Sequence, residues 1–385
     1  MKNEATYWIT LAHLPKWGFG KINALIVRFF HEEKISIEDF FNLSESDWSK
    51  RYMLSASDIQ ALQNAKSELP NNAFLAESLL SQGYQMVPIT SPEYSRTLKL
   101  NLKATQSPSL LYVKGNRDIL HQPSVAIVGS REAAGKSMGF ADNIARLASK
   151  EYKVVVSGFA KGIDKQALDS AIHYKGQSII VLPQGIATFN SGFKTYYKQI
   201  VDGDLLVLST FPPKAGWSVP LAMARNPIIY GLADEIFVAE SSEKGGTWAG
   251  VVDGLRKGRK ILVRYPDPGE KNANAVLIQK GGIPVDFNGT EIQNHSFTYP
   301  LVISPQASRS LDLQADIPDR IVSALNGKPL TPLEILDICK LNISVGKLMT
   351  LLKGMELIQS QKYGKTTKYL LKSRLSAPEQ KELFT

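Results

Sequence analysis

Two short stretches place small residues and a cation directly after runs of β-branched residues. Ser124-Val-Ala-Ile-Val-Gly129 runs into Ser130 and Arg131, and Val154-Val-Val-Ser157-Gly158 runs into Phe159, Ala160, Lys161, Gly162, Ile163 and Asp164. Each reads as a buried strand turning sharply into a helix amino terminus, where unpaired backbone N–H groups and the helix dipole suit a phosphate. Gly129, Ser130 and Arg131 offer backbone donors, a hydroxyl and a guanidinium fork to one phosphate; the plainer use of Gly129 is tight strand-to-helix packing. In the second turn Ser157, Gly158, Ala160 and Gly162 are small enough for a backbone to approach, and Lys161 supplies charge. Asp164, at the start of the next helix, reads as a cap on its N–H groups. Arg225 and Asn226, preceding an apolar helical stretch, are placed to reach the same crevice, a merely solvated arginine being the alternative.

Other chemistries lack their residues. Gly135-Lys136-Ser137 looks like the end of a P-loop, but that pattern needs glycine at position 130, which is Ser130. His13, His31, His121, His173 and His295 are scattered without ligand spacing among themselves or with Cys339, so no metal and no cofactor are expected. No Gly-x-Ser-x-Gly elbow or paired-carboxylate pattern points to hydrolysis, so no catalytic residue is assigned.

The elements that position these residues show as apolar runs at 124–129, 153–157, 178–183, 205–209, 235–240 and 260–264, alternating with helical stretches. That rhythm predicts an α/β fold with a parallel sheet and helices on both faces, with ligands at the carboxyl ends of the strands. Arg256-Lys257-Gly258-Arg259-Lys260 and Arg264 surround the last of these runs, either as a solvated helix end or as an extension of an anion track. Residues 5–80 carry helical spacing, with Trp8, Leu11, Leu25, Ile26, Phe29 and Phe30 as expected core. Between its first helices, Leu14-Pro15-Lys16-Trp17-Gly18-Phe19-Gly20 fits a helix-hairpin-helix turn offering amides to a phosphate, or equally an ordinary glycine turn. After a polar stretch, helices are expected at 317–326, 332–340 (with Thr331 as N-cap) and 345–353, followed by a hairpin turning at Gly364: a winged helix, suited to DNA or to protein docking. The expected domains are a helical 1–80, a Rossmann-like 81–288, a linker 289–315, a winged helix 316–373 and a tail 374–385.

Composition sets the class of partner. The 385 residues suggest two or three domains, and 45 Lys plus Arg against 36 Asp plus Glu leave +9, which favours a polyanion. The single cysteine excludes an internal disulfide framework. No apolar run approaches the ~18 residues of a membrane helix, and the first residues lack a secretory core, so no membrane is expected and the protein is expected in the cytoplasm.

In their order, Gly129-Ser130-Arg131, then Ser157-Gly158-x-Ala160-x-Gly162-Ile163-Asp164, then Arg225-Asn226-x-Ile228-Ile229-x-Gly231-Leu232 resemble the signature of the DprA (Smf) family of DNA-processing proteins. The likeness continues through Val238-Ala-Glu240, Gly258-Arg259 and Asn274-x-x-Leu277-Ile278, over roughly 85–287. It implies an extended Rossmann-like fold flanked by a SAM/helix-hairpin-helix-like helical domain and a winged helix. It also implies a non-enzymatic partner of single-stranded DNA that is dimeric and, in transformable bacteria, hands the strand to the recombinase RecA. Glu243-Lys244-Gly245-Gly246-Thr247-Trp248 resembles the glycine-rich loop of nucleotide-processing relatives. In those phosphoribohydrolases a glutamate stands where this chain has Gly250, so Gly245, Gly246 and Thr247 are left as an anion cradle, with Trp248 either a base-stacking platform or core. The family usually has arginine at Lys161, histidine near Leu168 and a second arginine at Pro227. These departures open an alternative role, known for DprA-like proteins in toxin–antitoxin and antiphage cassettes, of restraining a partner toxin. A nucleotide-derivative sensor or enzyme is a further alternative.

Overall fold

The computed structural model describes residues 2–133 and 135–293 and, in the carboxyl-terminal part, residues 321–371 with short interruptions. The chain forms two compact units, Met1–Ser296 and Phe297–Thr385.

In the first unit the apolar runs become β3 (Ser124–Gly129), β4 (Val154–Ser157), β5 (Ser178–Val181), β6 (Leu205–Ser209), β7 (Glu235–Glu240) and β8 (Ile261–Arg264). Every residue of β3 to β6 is buried, which is why these strands read as continuous apolar runs and not as alternation. Three further strands complete a nine-stranded sheet: β1 (Gln85–Pro88), β2 (Leu110–Gly115) and β9 (Ile283–Val285), in the order β1-β2-β6-β5-β4-β3-β7-β8-β9. All pairings from β6 to β9 are parallel, whereas β1 pairs with β2 and β2 with β6 in antiparallel fashion. The antiparallel edge was not expected from the sequence, because β1 has four mostly half-buried residues and β2 stands outside the strand–helix rhythm.

Six helices precede the sheet: α1 (Lys2–Ala12), α2 (Phe19–Ile26), α3 (Ile37–Asn42), α4 (Glu45–Lys50), α5 (Ala56–Ser67) and α6 (Leu69–Ser81). Ser36 and Ser44 start α3 and α4 with reciprocal capping boxes to Asp39 and Asp47. Trp8, Leu11, Leu25, Ile26 and Phe29 are buried, in one apolar cluster that also holds Leu110, Tyr112, Ile180, Leu205 and Val207 of the sheet. Phe30, expected in that core, is exposed: α2 passes into a π-helical turn, Val27–Glu32, whose wider step shifts the side-chain phase. Gly18 is the N-cap of α2, at the turn after α1.

The remaining helices of this unit are α7 (Arg96–Gln106), α8 (Gly135–Lys150), α9 (Ile163–His173), α10 (Asn190–Thr195), α11 (Tyr197–Val201), α12 (Val219–Leu232), α13 (Gly246–Arg256) and α14 (Asn274–Gln279). Phe140 and Ile144 of α8 and Ile163 and Ala167 of α9 join Val125, Ile127, Val155, Phe237 and Leu262 in a second apolar cluster. After β9 the chain turns at Asp286, and Glu291 bridges back to Val285, so residues 289–293 of the expected linker lie against the sheet edge.

The second unit contains α15 (Pro332–Ile338), α16 (Val345–Lys353) and an antiparallel hairpin of β10 (Ile358–Tyr363) and β11 (Thr366–Leu371). Thr331 caps α15 in a box with Glu334. Ile321, Leu325, Ile335, Cys339, Leu348, Leu352 and Tyr369 make its core. The expected tail 374–385 and linker residues 294–315 lie outside the described residues, as does part of the expected helix at 317–326.

The junction between the helices and the sheet carries a titratable probe. The half-buried His13 ring stacks on Tyr112, its Nε2 2.8 Å from the phenol oxygen, and burial lowers its pKa from 6.5 to about 4. The charged form is disfavoured only in the folded state, so this contribution to stability is intact above pH 6.5 and is lost as pH falls toward 4. The unfolding free energy in urea is expected to fall more steeply across that interval for the parent than for His13→Gln; equal slopes would contradict it.

Candidate functional site

From β3 the chain winds outward through β4, β5 and β6, then crosses back over α12 to β7 on the other side of β3, and this reversal creates a switch point between β3 and β7. There the ladder slips: Val128 pairs with Val238, but Gly129 pairs with Glu240. The Ser130 N–H then donates to the Glu240 carbonyl at 2.9 Å, and the loops beyond β3 and β7 diverge around a cavity of about 370 Å³.

The loop after β3 contributes Gly129, Ser130 and Arg131 to the cavity wall. Gly129 is also where the structure has no room for a side chain, since a Cβ would meet Ile163 and the Glu240 carbonyl. The packing role and the lining role therefore coincide. The β4–α9 loop contributes Ala160, but Ser157, Gly158, Lys161 and Gly162 do not line the cavity. Their work is local. The Ser157 hydroxyl donates to the Asp164 carbonyl at 2.6 Å, Gly162 adopts φ +79° with the Ser130 carbonyl where a Cβ would lie, and Lys161 is exposed outside the wall. The β7–α13 loop contributes Gly245, Gly246 and Thr247. Gly245 is the N-cap of α13 at φ +93°, and the Thr247 hydroxyl donates to the Gly129 carbonyl at 3.0 Å, tying this loop to the first. Thr247 thus offers an incoming anion its N–H and not its hydroxyl.

Helix α12 forms the remaining wall. Its start is fixed by Ser218, which accepts from the Leu221 N–H, and Val219, Ala222, Met223 and Asn226 follow at the i, i+3, i+4, i+7 spacing of one helical face. Arg225, expected ahead of the helix, lies with Asn226 inside it, because α12 starts at Val219; it reaches the cavity and is 3% exposed. Its Nη1 lies 3.8 Å from the Asp164 carboxylate, and among the described residues neither Nε nor Nη1 has a hydrogen-bond partner. The guanidinium lies over Gly158, where any side chain would overlap it.

Asp164 does not cap its own helix. Its carboxylate accepts from the backbone N–H groups of Gly158 and Ala160 and faces Arg225, so it fixes the β4–α9 loop. Burial raises its pKa, opposed by Arg225, those two N–H groups and Arg131. Burial likewise lowers the pKa of Arg225, against the pull of Asp164. The cavity wall then carries Arg131, Arg225 and Lys244 against Asp164 and Glu132, with Asp164 already engaged. Lys244, Val219, Met223 and Tyr230 were not among the site residues expected from the sequence; for the last three the spacing along α12 was the available signal, and Lys244 lies in the β7–α13 loop.

The basic run does not extend the site. Arg256 and Lys257 pair with Asp253, Lys260 with Glu235, and Arg264 with Glu270, while Arg259 donates to the Tyr230 and Ala233 carbonyls. Trp248 is half-buried on α13 and is not part of the cavity wall.

The fold and site define an open, mostly parallel Rossmann-like α/β protein with a partly cationic cavity at its switch point. Residues 85–291 match the profile of the DNA recombination-mediator protein A family, and the chain belongs to that family. It is 34% identical over 159 residues to the DNA processing protein DprA of Streptococcus pneumoniae, covering 40% of this chain and 55% of that one. To DprA of Bacillus subtilis it is 28% identical over 188 residues, covering 47% and 60%. To Protein Smf of Escherichia coli it is 27% identical over 264 residues, covering 66% and 68%. The matches therefore span little more than half the length of the two DprA proteins. The crystal structure of the pneumococcal DprA superposes with a TM-score of 0.60 at 23% identity, covering 77% of this chain and 99% of that one, which shows the shared fold.

The buried pair makes a stability prediction. Asp164→Ala leaves a desolvated guanidinium uncompensated and is expected to cost about 3–5 kcal/mol, part of which returns in Asp164→Ala/Arg225→Met. Urea midpoints test this, and a single-variant loss within about 0.5 kcal/mol would contradict it.

Proposed function

We propose that this protein binds single-stranded DNA through the switch-point cavity and performs no bond-making chemistry. The observation that carries the reading is Arg225: a buried guanidinium with two nitrogens lacking hydrogen-bond partners, in the wall of a cavity that Arg131 and Lys244 also line. Such a group lowers its free energy when an anion arrives. Backbone N–H groups at the start of α13 and the exposed Arg131 complete a phosphate site, with Gly129 to Arg131, Ala160, Arg225, Asn226 and Gly245 to Thr247 as its members. Lys161, outside the wall, serves an adjoining phosphate of the same strand. Catalysis at a ribose is disfavoured at Gly250, because a side chain there would meet the Tyr230 ring.

Family membership supports a role in DNA processing in the cytoplasm, with a homodimer and transfer of the strand to a recombinase as its extensions, and the second unit as a winged helix. The alternative role, restraint of a partner toxin, is favoured by Leu168, which is fully buried in the apolar cluster where relatives carry histidine, and by Pro227 inside α12.

Binding of a labelled oligothymidylate by the whole chain is expected to weaken with salt at a slope of about −0.7 per phosphate contacted. Arg131→Ala and Lys244→Ala, both at exposed positions, are each expected to make that slope shallower by about 0.7. Fluorescence anisotropy across a salt series checks both. Affinity indifferent to salt, or slopes unchanged in both variants, would refute the phosphate site.

A further inference from the structure

The cationic atoms occupy only part of the cavity. Arg131 and Lys244 come from the loops after β3 and β7, whereas the α12 wall presents Val219 and Met223 at its outer end, 62% and 43% exposed. Two residues before Val219, Trp217 is 55% exposed and is the most open of the five tryptophans: Trp8 and Trp48 are buried, and Trp17 and Trp248 are half-buried. Val219 and Met223 are one turn apart on the same face, and Ser218 fixes the entry of the chain into α12 by its N-cap bond. Val219 and Met223 thus stand in water in the wall of the cavity that holds the incompletely bonded Arg225 guanidinium, and a third large apolar side chain, Trp217, is exposed two residues before Val219.

Apolar surface clustered at the mouth of a polar cavity marks a ligand with both chemistries. Inorganic phosphate would use the cations and leave the lip wet, and an apolar protein surface would cover the lip and leave the guanidinium unsatisfied. An unpaired polynucleotide supplies an anionic rail and, along the same strand, flat aromatic faces that lose water on stacking. The cavity volume, about 370 Å³, also exceeds what a phosphate group fills and falls in the range of sites for small organic molecules.

Resting on the reading of the cavity as a single-stranded-DNA site, we propose that Trp217, Val219 and Met223 form a base-stacking lip, with Trp217 as the platform for a base whose phosphate is held at Arg225. The lip binds bases by their faces, so it adds affinity without adding phosphate contacts.

The test titrates labelled oligothymidylate, and an abasic oligomer of equal length, against the whole chain and against Trp217→Ala and Trp217→Phe over a salt series. Trp217→Ala is expected to weaken oligothymidylate binding by about 5- to 100-fold, with the salt slope unchanged and abasic binding unaltered, while Trp217→Phe keeps most of the affinity. Equal affinity of Trp217→Ala and parent for oligothymidylate, or an equal loss on the abasic oligomer, would overturn the lip and leave the patch as a protein-docking surface. Failure of the parent itself to bind either oligomer would overturn the phosphate site and the lip with it.

Discussion

Removing a guanidinium from water is among the costliest steps in building this protein, and the site is organised around having done so at Arg225. Burial pushes Arg225 toward losing its charge and Asp164 toward keeping its proton. Their mutual attraction at 3.8 Å and the Gly158 and Ala160 N–H groups act against that, and hold the pair. The geometry this imposes reaches outward. Gly158 has no side chain because the guanidinium lies where one would be, and the β4–α9 loop is drawn onto Asp164. Through Gly162, that loop packs against the backbone of the β3–α8 loop at Ser130. An ionic pair that is an indifferent source of stability is therefore well suited to fixing a shape.

How much of this the sequence disclosed depended on whether a signal was local. The strands β3 to β8 were legible because each is a run of β-branched and apolar residues long enough to be buried on both faces. The turns at Gly129, Gly162 and Gly245 were legible because glycine between an apolar run and a helical stretch marks a sharp change of chain direction. What escaped was long-range. Asp164 reads as a helix cap by position, and only the fold places Arg225, sixty-one residues later in the chain, against it. The antiparallel edge escaped because β2 depends on partners on both sides, β1 and β6, and its own residues do not announce them. Phe30 was misassigned because helical spacing assumes a constant turn, and the chain changes turn at Val27.

Net charge was a poor guide to location. The excess of +9 suggests a polyanion, and the most conspicuous basic cluster, Arg256 to Lys260, is spent on Asp253, Glu235 and main-chain carbonyls. A short run of like charge at a helix end has neighbours of opposite charge within easy reach, and a folded chain uses them. The informative cation was a buried one whose hydrogen bonds are incomplete.

The one-residue slip between Val128 and Gly129 has a consequence for divergence. Because the cleft is opened by main-chain pairing and not by side chains, its width is inherited with the strands. Residues around the rim can then be exchanged, and the chemistry of the walls retuned, while the jaws keep their spacing.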